Sequence, residues 1–397
     1  MEKTNAVRLL DKSKIKDEII SYKVDDIEKW CHPASYQERL SDNTVRCNLC
    51  PHNCIVRVGK TGICRTRINR GGELYTLAYG NPCSLSVDPI EKKPLFHFFQ
   101  GSEIYSLATA GCNFRCLNCQ NWSISQASPG ELEHYNLTPH EVVNQALHHN
   151  TGSIAFTYTE PTVFYEYIYD IAKAAHEKEV KTVLISNGYI NQKPLMDLCP
   201  YLDAANIDLK CFDDAVYHKL TGGRLQPVLD TLKTLKEKGV WLEITHLVIP
   251  AWTDRPEMIE AMCEWLAGNG FTDTPLHFSR FFPTFNLSQL QPTPANILVK
   301  AKEIAEKTGI KYVYIGNLPG IHGENTCCPK CGQTLVEREG YLIKKNNIKK
   351  GTDVNIPNEN KLGENIPDGL CGFCGEIVPG VWGGEAHPTA VWKREIS

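Results

Sequence analysis

Residues 104–119 read IYSLATAGCNFRCLNC. The opening IYSLATA mixes aromatic, β-branched and small side chains in a short apolar run, which predicts a buried β-strand. That strand feeds directly into Cys112, Cys116 and Cys119, three thiols in eight residues. Two disulfides cannot be built from three thiols, whereas an iron–sulfur cluster held by three cysteines keeps one iron open to an external ligand. An open iron points to substrate or cofactor chemistry rather than electron storage.

Six more runs of the same kind follow: SIAFTY (153–158), TVLISN (182–187), DAANIDLK (203–210), WLEITHLVIP (241–250), LHFSRFF (276–282) and YVYIG (312–316). Helical segments separate them, near 139–149, 161–179, 227–238, 255–268 and 294–308, several with Pro in the first turn, where its missing N–H costs nothing. Strand and helix in alternation mean parallel strands with crossover helices. The number of units suits a complete or partial β/α barrel, with an open doubly wound sheet as the alternative. In a barrel, the loop carrying Cys112 lies on the C-terminal, active-site face.

In the run 203–210, two-residue alternation places Asn206, Asp208 and Lys210 on one face and Ile207, Leu209 and Cys211 on the other. The helix-facing side of a parallel unit must be apolar, so the polar trio points into the barrel. Asp208 and Lys210 are expensive there unless they pair with each other or with a ligand. They are therefore expected either to contact a cofactor or substrate, or to form a structural ion pair. The same alternation turns Glu243 and Thr245 inward and leaves His277 and Arg280 undecided.

The chain has 397 residues, 42% hydrophobic and 22% charged, with 42 basic against 46 acidic side chains and a net charge of −4. That balance disfavours a broad nucleic-acid-binding face. No apolar run reaches membrane-spanning length and the first residues lack a secretory pattern, so a cytoplasmic protein is expected. In a reducing compartment 17 cysteines point to metal rather than disulfides. Besides the central trio, Cys328, Cys331, Cys371 and Cys374 form two CxxC turns, each followed by Gly, the pattern of a four-thiolate ribbon holding zinc or iron. Cys327 is read as a bystander, and Cys31, Cys83, Cys199, Cys211 and Cys263 as small buried side chains. Cys47, Cys50, Cys54 and Cys64 suit a metal-bound loop, either zinc or an auxiliary cluster.

The expected organisation is a helical N-terminal extension (1–40), a Cys-rich segment (41–100), a β/α barrel (101–320) and a zinc-ribbon-like module (321–397) with a mobile loop at 346–368. The stretches RCNLCPHNCIVRVGKTGICRTR (46–67), LAYGNPCSLSVDPIEKKPLFHFFQGS (77–102), GCNFRCLNCQNWSISQ (111–126), FTYTEPTVFYEY (156–167) and HFSRFFP (277–283) resemble the radical S-adenosylmethionine (SAM) superfamily. Within it they are similar to the AmmeMemoRadiSam-system enzymes, relatives of pyruvate formate-lyase activating enzymes. The resemblance covers roughly residues 34–382.

It implies a partial (β/α) barrel, a 4Fe–4S cluster on Cys112, Cys116 and Cys119, and S-adenosylmethionine on the open iron, cleaved by one electron to methionine and a 5′-deoxyadenosyl radical. Thr157–Pro161 stands where the superfamily has a glycine-glycine-glutamate segment, with Tyr158 and Thr159 in place of the glycines. By resemblance Glu160 and Thr159 lie by the methionine group; Glu160 as a helix-start carboxylate is the other reading. Ser186 and Asn187 match a ribose-contacting position, and Asn-Gly there is equally a turn signal. Asn118 replaces the aromatic that usually precedes the third cysteine. The implied partners are an electron donor such as flavodoxin or ferredoxin, and a protein substrate or Memo-system partner. The alternatives are a metal-ribbon binding module without catalysis, recognising protein or nucleic acid, and an electron carrier, which would want four central cysteines.

Overall fold

The computed structural model describes residues 30–350 and 369–382. Its centre is an eight-stranded sheet: β1 (Ser84–Pro89), β2 (Glu103–Ala108), β3 (Ser153–Phe156), β4 (Lys181–Ser186), β5 (Ala204–Asp208), β6 (Trp241–Val248), β7 (Leu276–Arg280) and β8 (Val313–Gly316). Spatial order follows chain order from β1 to β8. β1 pairs antiparallel with β2, and every later pair is parallel. A doubly wound sheet would reverse its order at a switch point. With right-handed crossovers the uninterrupted order instead places the helices on one side, giving a barrel that β1 and β8 leave open.

The crossovers are α1 (Pro139–His148), α2 (Tyr165–His176), α3 (Gln192–Leu198), α4 (Asp214–Thr221), α5 (Leu225–Glu237), α6 (Pro256–Gly268) and α7 (Ala295–Lys307). α1 begins with a capping box, Thr138 accepting from Glu141 N and Glu141 accepting from Thr138 N, with Pro139 in the first turn. The expected segment 161–179 divides into a 3₁₀ turn, Pro161–Phe164, followed by α2. α3 and α4 follow β4 and β5, where no helix was expected. α4 is short, capped by Asp213 through Val216 N, and ends at Gly222 in the left-handed region.

The apolar faces meet in a core that includes Leu107, Phe156, Leu184, Ile207, Ile244 and Phe278, all buried. Cys199, Cys211 and Cys263 are buried, as core cysteines should be.

Of the N-terminal extension, residues 1–29 lie outside the described part. Residues 30–40 include two short strands: Gln37–Arg39 pairs with Val45–Cys47, and His32–Pro33 pairs with Glu73–Thr76. They belong with the Cys-rich segment.

At the other end, Thr326–Cys327, Thr334–Glu339 and Leu342–Asn346 form one three-stranded sheet, and Ile348–Lys350, Gly369–Cys371 and Ile377–Val378 another. Most of the expected 346–368 loop lies outside the described residues. This module docks through Arg338, whose Nη2 donates to Phe96 O (2.8 Å) and whose guanidinium lies 4.2 Å from the Phe96 ring centroid. Phe98 bridges to Val381 in addition.

Candidate active site

The cysteine loop leaves β2 through Gly111, at φ +97°. A Cβ there would stand 2.5 Å from Thr66 Cγ2 and 2.7 Å from Cys64 O, so only glycine lets the two cysteine-rich loops approach. Gly111 N donates to Ile124 O, Arg115 N to Thr221 O and Leu117 N to Leu220 O, which fixes the loop against its own return and the end of α4. Phe114 is buried against Gly223, where a Cβ would lie 2.3 Å from the ring.

Cys112, Cys116 and Cys119 all open onto one cavity of about 550 Å³ at the C-terminal ends of the strands. Phe114 N donates to Cys112 Sγ (3.3 Å), and Cys119 Sγ lies 3.2 Å from Ser125 Oγ. Burial pushes the Cys116 thiol up to about 12, opposed by Lys210. Burial, with Glu160 adding to it, raises Cys112 well above the ordinary thiol range. Thiols this desolvated become thiolates only against a bound cation.

The cavity also receives Thr159, Glu160, Ser186, Asn187, Asp208 and Lys210, so the structure gathers the sequence-derived candidates around the trio. Glu160 is buried and nearly saturated: Oε1 accepts from Thr162 N (3.0 Å), Thr162 Oγ1 (2.7 Å) and Ser186 Oγ (2.7 Å), and Oε2 from Asn187 N (2.9 Å). Burial raises its pKa, and these donors pull it back. It starts the 3₁₀ turn, as the helix-start reading expects, and also joins the ends of β3 and β4. Asn187 Nδ2 donates to Asn113 Oδ1 (2.8 Å), tying β4 to the cysteine loop.

Thr159 Oγ1 donates to Thr109 O. Tyr158 keeps a glycine-like backbone at φ +64°, which costs a bulky residue about 1–3 kcal/mol. Its hydroxyl donates to Asp88 and its ring lies under Lys93 Nζ, 4.7 Å from the centroid.

Asp208 and Lys210 pair at 2.8 Å and remain partly exposed to the cavity. Burial would lower the Lys210 pKa, but Asp208 and the Cys116 thiol hold it above the ordinary lysine value. Asn206 faces inward too, donating to Pro94 O and accepting from Thr245 Oγ1.

His277 lines the cavity, with Nε2 2.6 Å from Glu243 Oε2. Glu243 also accepts from Phe96 N, His97 N and Trp241 Nε1, which explains how a carboxylate is tolerated inside the barrel. Arg280 turns aside to Thr293 O.

Sequence reasoning assigned no role to the opposite wall. Glu91, Lys92 and Lys93 come from the segment after β1, and Glu324 and Tyr341 from the C-terminal module. Lys93 is buried and sits 2.5 Å from Asp88; burial pushes its pKa down to about 8 against the pull of Asp88. The signal was the charged run after a strand, DPIEKK (88–93).

Over residues 106–266 the sequence matches the model of the radical SAM superfamily. The chain belongs to that superfamily. It is 47% identical over 345 residues, 87% of its length and 98% of the other's, to an uncharacterized protein of Methanocaldococcus jannaschii. It is 24% identical over 218 residues, 51% of its length and 89% of the other's, to the pyruvate formate-lyase 1-activating enzyme of Escherichia coli. Among solved structures, a radical SAM methyltransferase from Sphaerobacter thermophilus aligns with a TM-score of 0.45 at 12% identity, over 72% of this chain and 76% of that one.

This is therefore an enzyme of radical SAM type, a family that implies a 4Fe–4S cluster and S-adenosylmethionine. The residues fit the pair. Three thiols from one loop face one cavity, and polar groups line its walls, including Asn118 Oδ1, buried without a partner.

A second group that could hold a metal ion is formed by Cys328, Cys331, Cys371 and Cys374, whose sulfurs all lie within 4.8 Å of one another. Cys327 is exposed and stands outside that group. Among the described residues no helix is long and apolar enough to cross a membrane.

Proposed function

We propose that this enzyme holds its 4Fe–4S cluster on Cys112, Cys116 and Cys119, binds S-adenosylmethionine beside it, and takes a hydrogen atom from a carbon of a protein or peptide substrate. The observation that carries the reading is the convergence of the three thiols with Glu160, Ser186, Asn187, Asp208 and Lys210 on one cavity. When bound, the cluster and cofactor supply one-electron cleavage of a sulfonium bond to methionine and a 5′-deoxyadenosyl radical.

The chain's own residues orient and shield. Glu160 accepts from Ser186 Oγ and Asn187 N, and Asn187 Nδ2 donates to Asn113 Oδ1, which fixes the end of β4 and the cysteine loop as one rigid wall of the cavity. The Asp208–Lys210 pair offers a cation and an anion to the charged ends of an amino acid. Phe96, Phe282 and Tyr341 restrict water at the wall and rim. Lys93 and Tyr158, each hydrogen-bonded to buried Asp88, and His277, hydrogen-bonded to buried Glu243, form a fixed polar part of the cavity wall.

A macromolecular substrate is supported by two findings. The relatives named as activating enzymes are one. Phe282 and Tyr341, which line the cavity and are also exposed to solvent, are the other, since exposed apolar side chains at a cavity suit contact with a large substrate. A protein such as flavodoxin or ferredoxin would deliver the electron.

The test is anaerobic turnover: the reconstituted, reduced chain with S-adenosylmethionine is expected to release 5′-deoxyadenosine, and Cys116→Ala to release none. Equal release from both proteins would refute the assignment.

A further inference from the structure

The structure contains two kinds of thiol spacing. Ligands of one tetrahedral ion at a metal–sulfur distance of about 2.3 Å stand about 3.8 Å apart. The C-terminal group matches: Cys328 Sγ to Cys374 Sγ is 3.6 Å and Cys331 Sγ to Cys371 Sγ is 3.7 Å. It is, among the described residues, the one group of ligand atoms mutually within 4.8 Å.

Cys47, Cys50, Cys54 and Cys64 also converge. Cys47 N donates to Cys54 O, and a Cβ on Gly62 would touch Cys54 Sγ at 3.6 Å and Cys64 Sγ at 3.9 Å. Yet no three of their sulfurs meet the single-ion spacing, and the central trio shares that wider arrangement. Thiols must stand further apart when each binds a different metal of a polynuclear centre, because the metals are themselves separated.

The surroundings suit such a centre. Thr66 Oγ1 lies 3.2 Å from Cys64 Sγ and 3.0 Å from Val163 O, two acceptors for its one proton, and the buried Arg67 reaches Cys47 Sγ at 3.9 Å while paired with Glu166. Donors to sulfur and a fixed cation are how a protein stabilises and tunes a thiolate-bound cluster. Gly111, against Cys64 O, and His52 Nε2, 2.8 Å from Asn113 O, press this site onto the loop of the central trio.

We propose that Cys47, Cys50, Cys54 and Cys64 bind a second, polynuclear iron–sulfur cluster rather than zinc. This does not depend on the reaction proposed above, because the test reads metal rather than turnover. The full chain and a Cys112→Ala/Cys116→Ala/Cys119→Ala variant are reconstituted anaerobically with ferrous iron, sulfide and zinc, and their iron, acid-labile sulfide and zinc are counted.

The triple variant is expected to keep about two to four iron atoms with equal sulfide, and to lose the sulfide when Cys54→Ala and Cys64→Ala are added. Zinc or sulfide-free iron at the C-terminal group reports that each variant is folded. A folded triple variant without labile sulfide overturns the proposal, whether or not it gains a second zinc. The wild type keeps the question decidable if that variant fails to fold: sulfide clearly above the roughly four of one cubane supports a second cluster, and about four overturns it.

Discussion

At the scale of single residues, Glu160 shows how one side chain serves two ends. Four donors converge on its two oxygens, so its removal leaves buried N–H and O–H groups unpaired at about 1–3 kcal/mol each. Glu160→Ala is expected to lower stability by about 3 kcal/mol in urea denaturation. Glu160→Gln, which keeps one acceptor, should cost less. Gly111→Ala meets a backbone carbonyl at 2.7 Å in a left-handed backbone, and a loss of about 2–4 kcal/mol is expected by the same method.

Glu91 offers a pH test. Burial pushes its carboxyl up to about 7, against the pull of Arg338. A folded-state pKa above the unfolded value of about 4.3 means that the folded chain holds more protons, so this residue's contribution falls as pH rises from about 4.3 to 7. His97 has the opposite sign: burial lowers it to about 4, and its contribution rises with pH between about 4 and 6.5. The Glu91→Gln variant, which retains an acceptor for Gly101 N, should therefore gain stability relative to wild type as pH rises from 4.5 to 7. Parallel profiles for the two proteins would show that folding does not raise the Glu91 pKa.

Among the secondary-structure elements, those legible in the sequence are those whose information is local. The alternation Asn206, Asp208 reads directly as the inner face of β5, because a strand's period is fixed by its backbone, and Lys210, two residues past the strand's end, keeps to the same side. The CxxC turns at Cys328 and Cys371 read as one site, because a four-thiolate centre needs both. α3 and α4 were not legible: at 7 and 8 residues they are too short for the periodic signal that betrayed α5 or α7. β1 was missed because SLSVDP carries only a few apolar residues and pairs through a partner that lies beyond an intervening loop. In the C-terminal module, whose core also takes in Phe96, Tyr312 and Tyr314 at the barrel's edge, Cys331→Ala is expected to weaken metal binding and open this module to proteolysis, while the main barrel core, a cluster of its own, keeps most of the circular dichroism.

Over the whole molecule, the cavity is assembled from three regions far apart in sequence: the segment after β1, the strand ends of the barrel and the C-terminal module. The central trio, Asp208 and Lys210 could be singled out from sequence because each sits at or just past a strand end, and Glu160 by its resemblance to the superfamily's glutamate segment. Glu91, Glu324 and Tyr341 could not, since only the docking of Arg338 on Phe96 brings them to the same wall.

Charge is unevenly spread as well. Residues 43–72 carry Arg57, Lys60, Arg65 and Arg70 and no acidic residue, besides Arg46, which pairs with Glu38, and the buried Arg67, which pairs with Glu166, in a chain of net charge −4. Ile55, Val58 and Ile63 are exposed in the same tract. Such a surface favours an acidic protein partner, so the rate of reduction by a ferredoxin is expected to fall as salt rises from 50 to 500 mM, about the range over which surface electrostatics are screened. A salt-independent rate would exclude docking on this tract.

The most direct measurement of the central claim is electron paramagnetic resonance of the reduced, reconstituted Cys47→Ala/Cys50→Ala/Cys54→Ala/Cys64→Ala variant, in which the central trio is the sole cluster site proposed to remain. An open iron that binds S-adenosylmethionine predicts a reduced-cluster signal whose g values shift when the cofactor is added and which vanishes when Cys112→Ala is introduced as well. A signal from the folded variant that ignores S-adenosylmethionine, or that survives Cys112→Ala unchanged, would contradict the account.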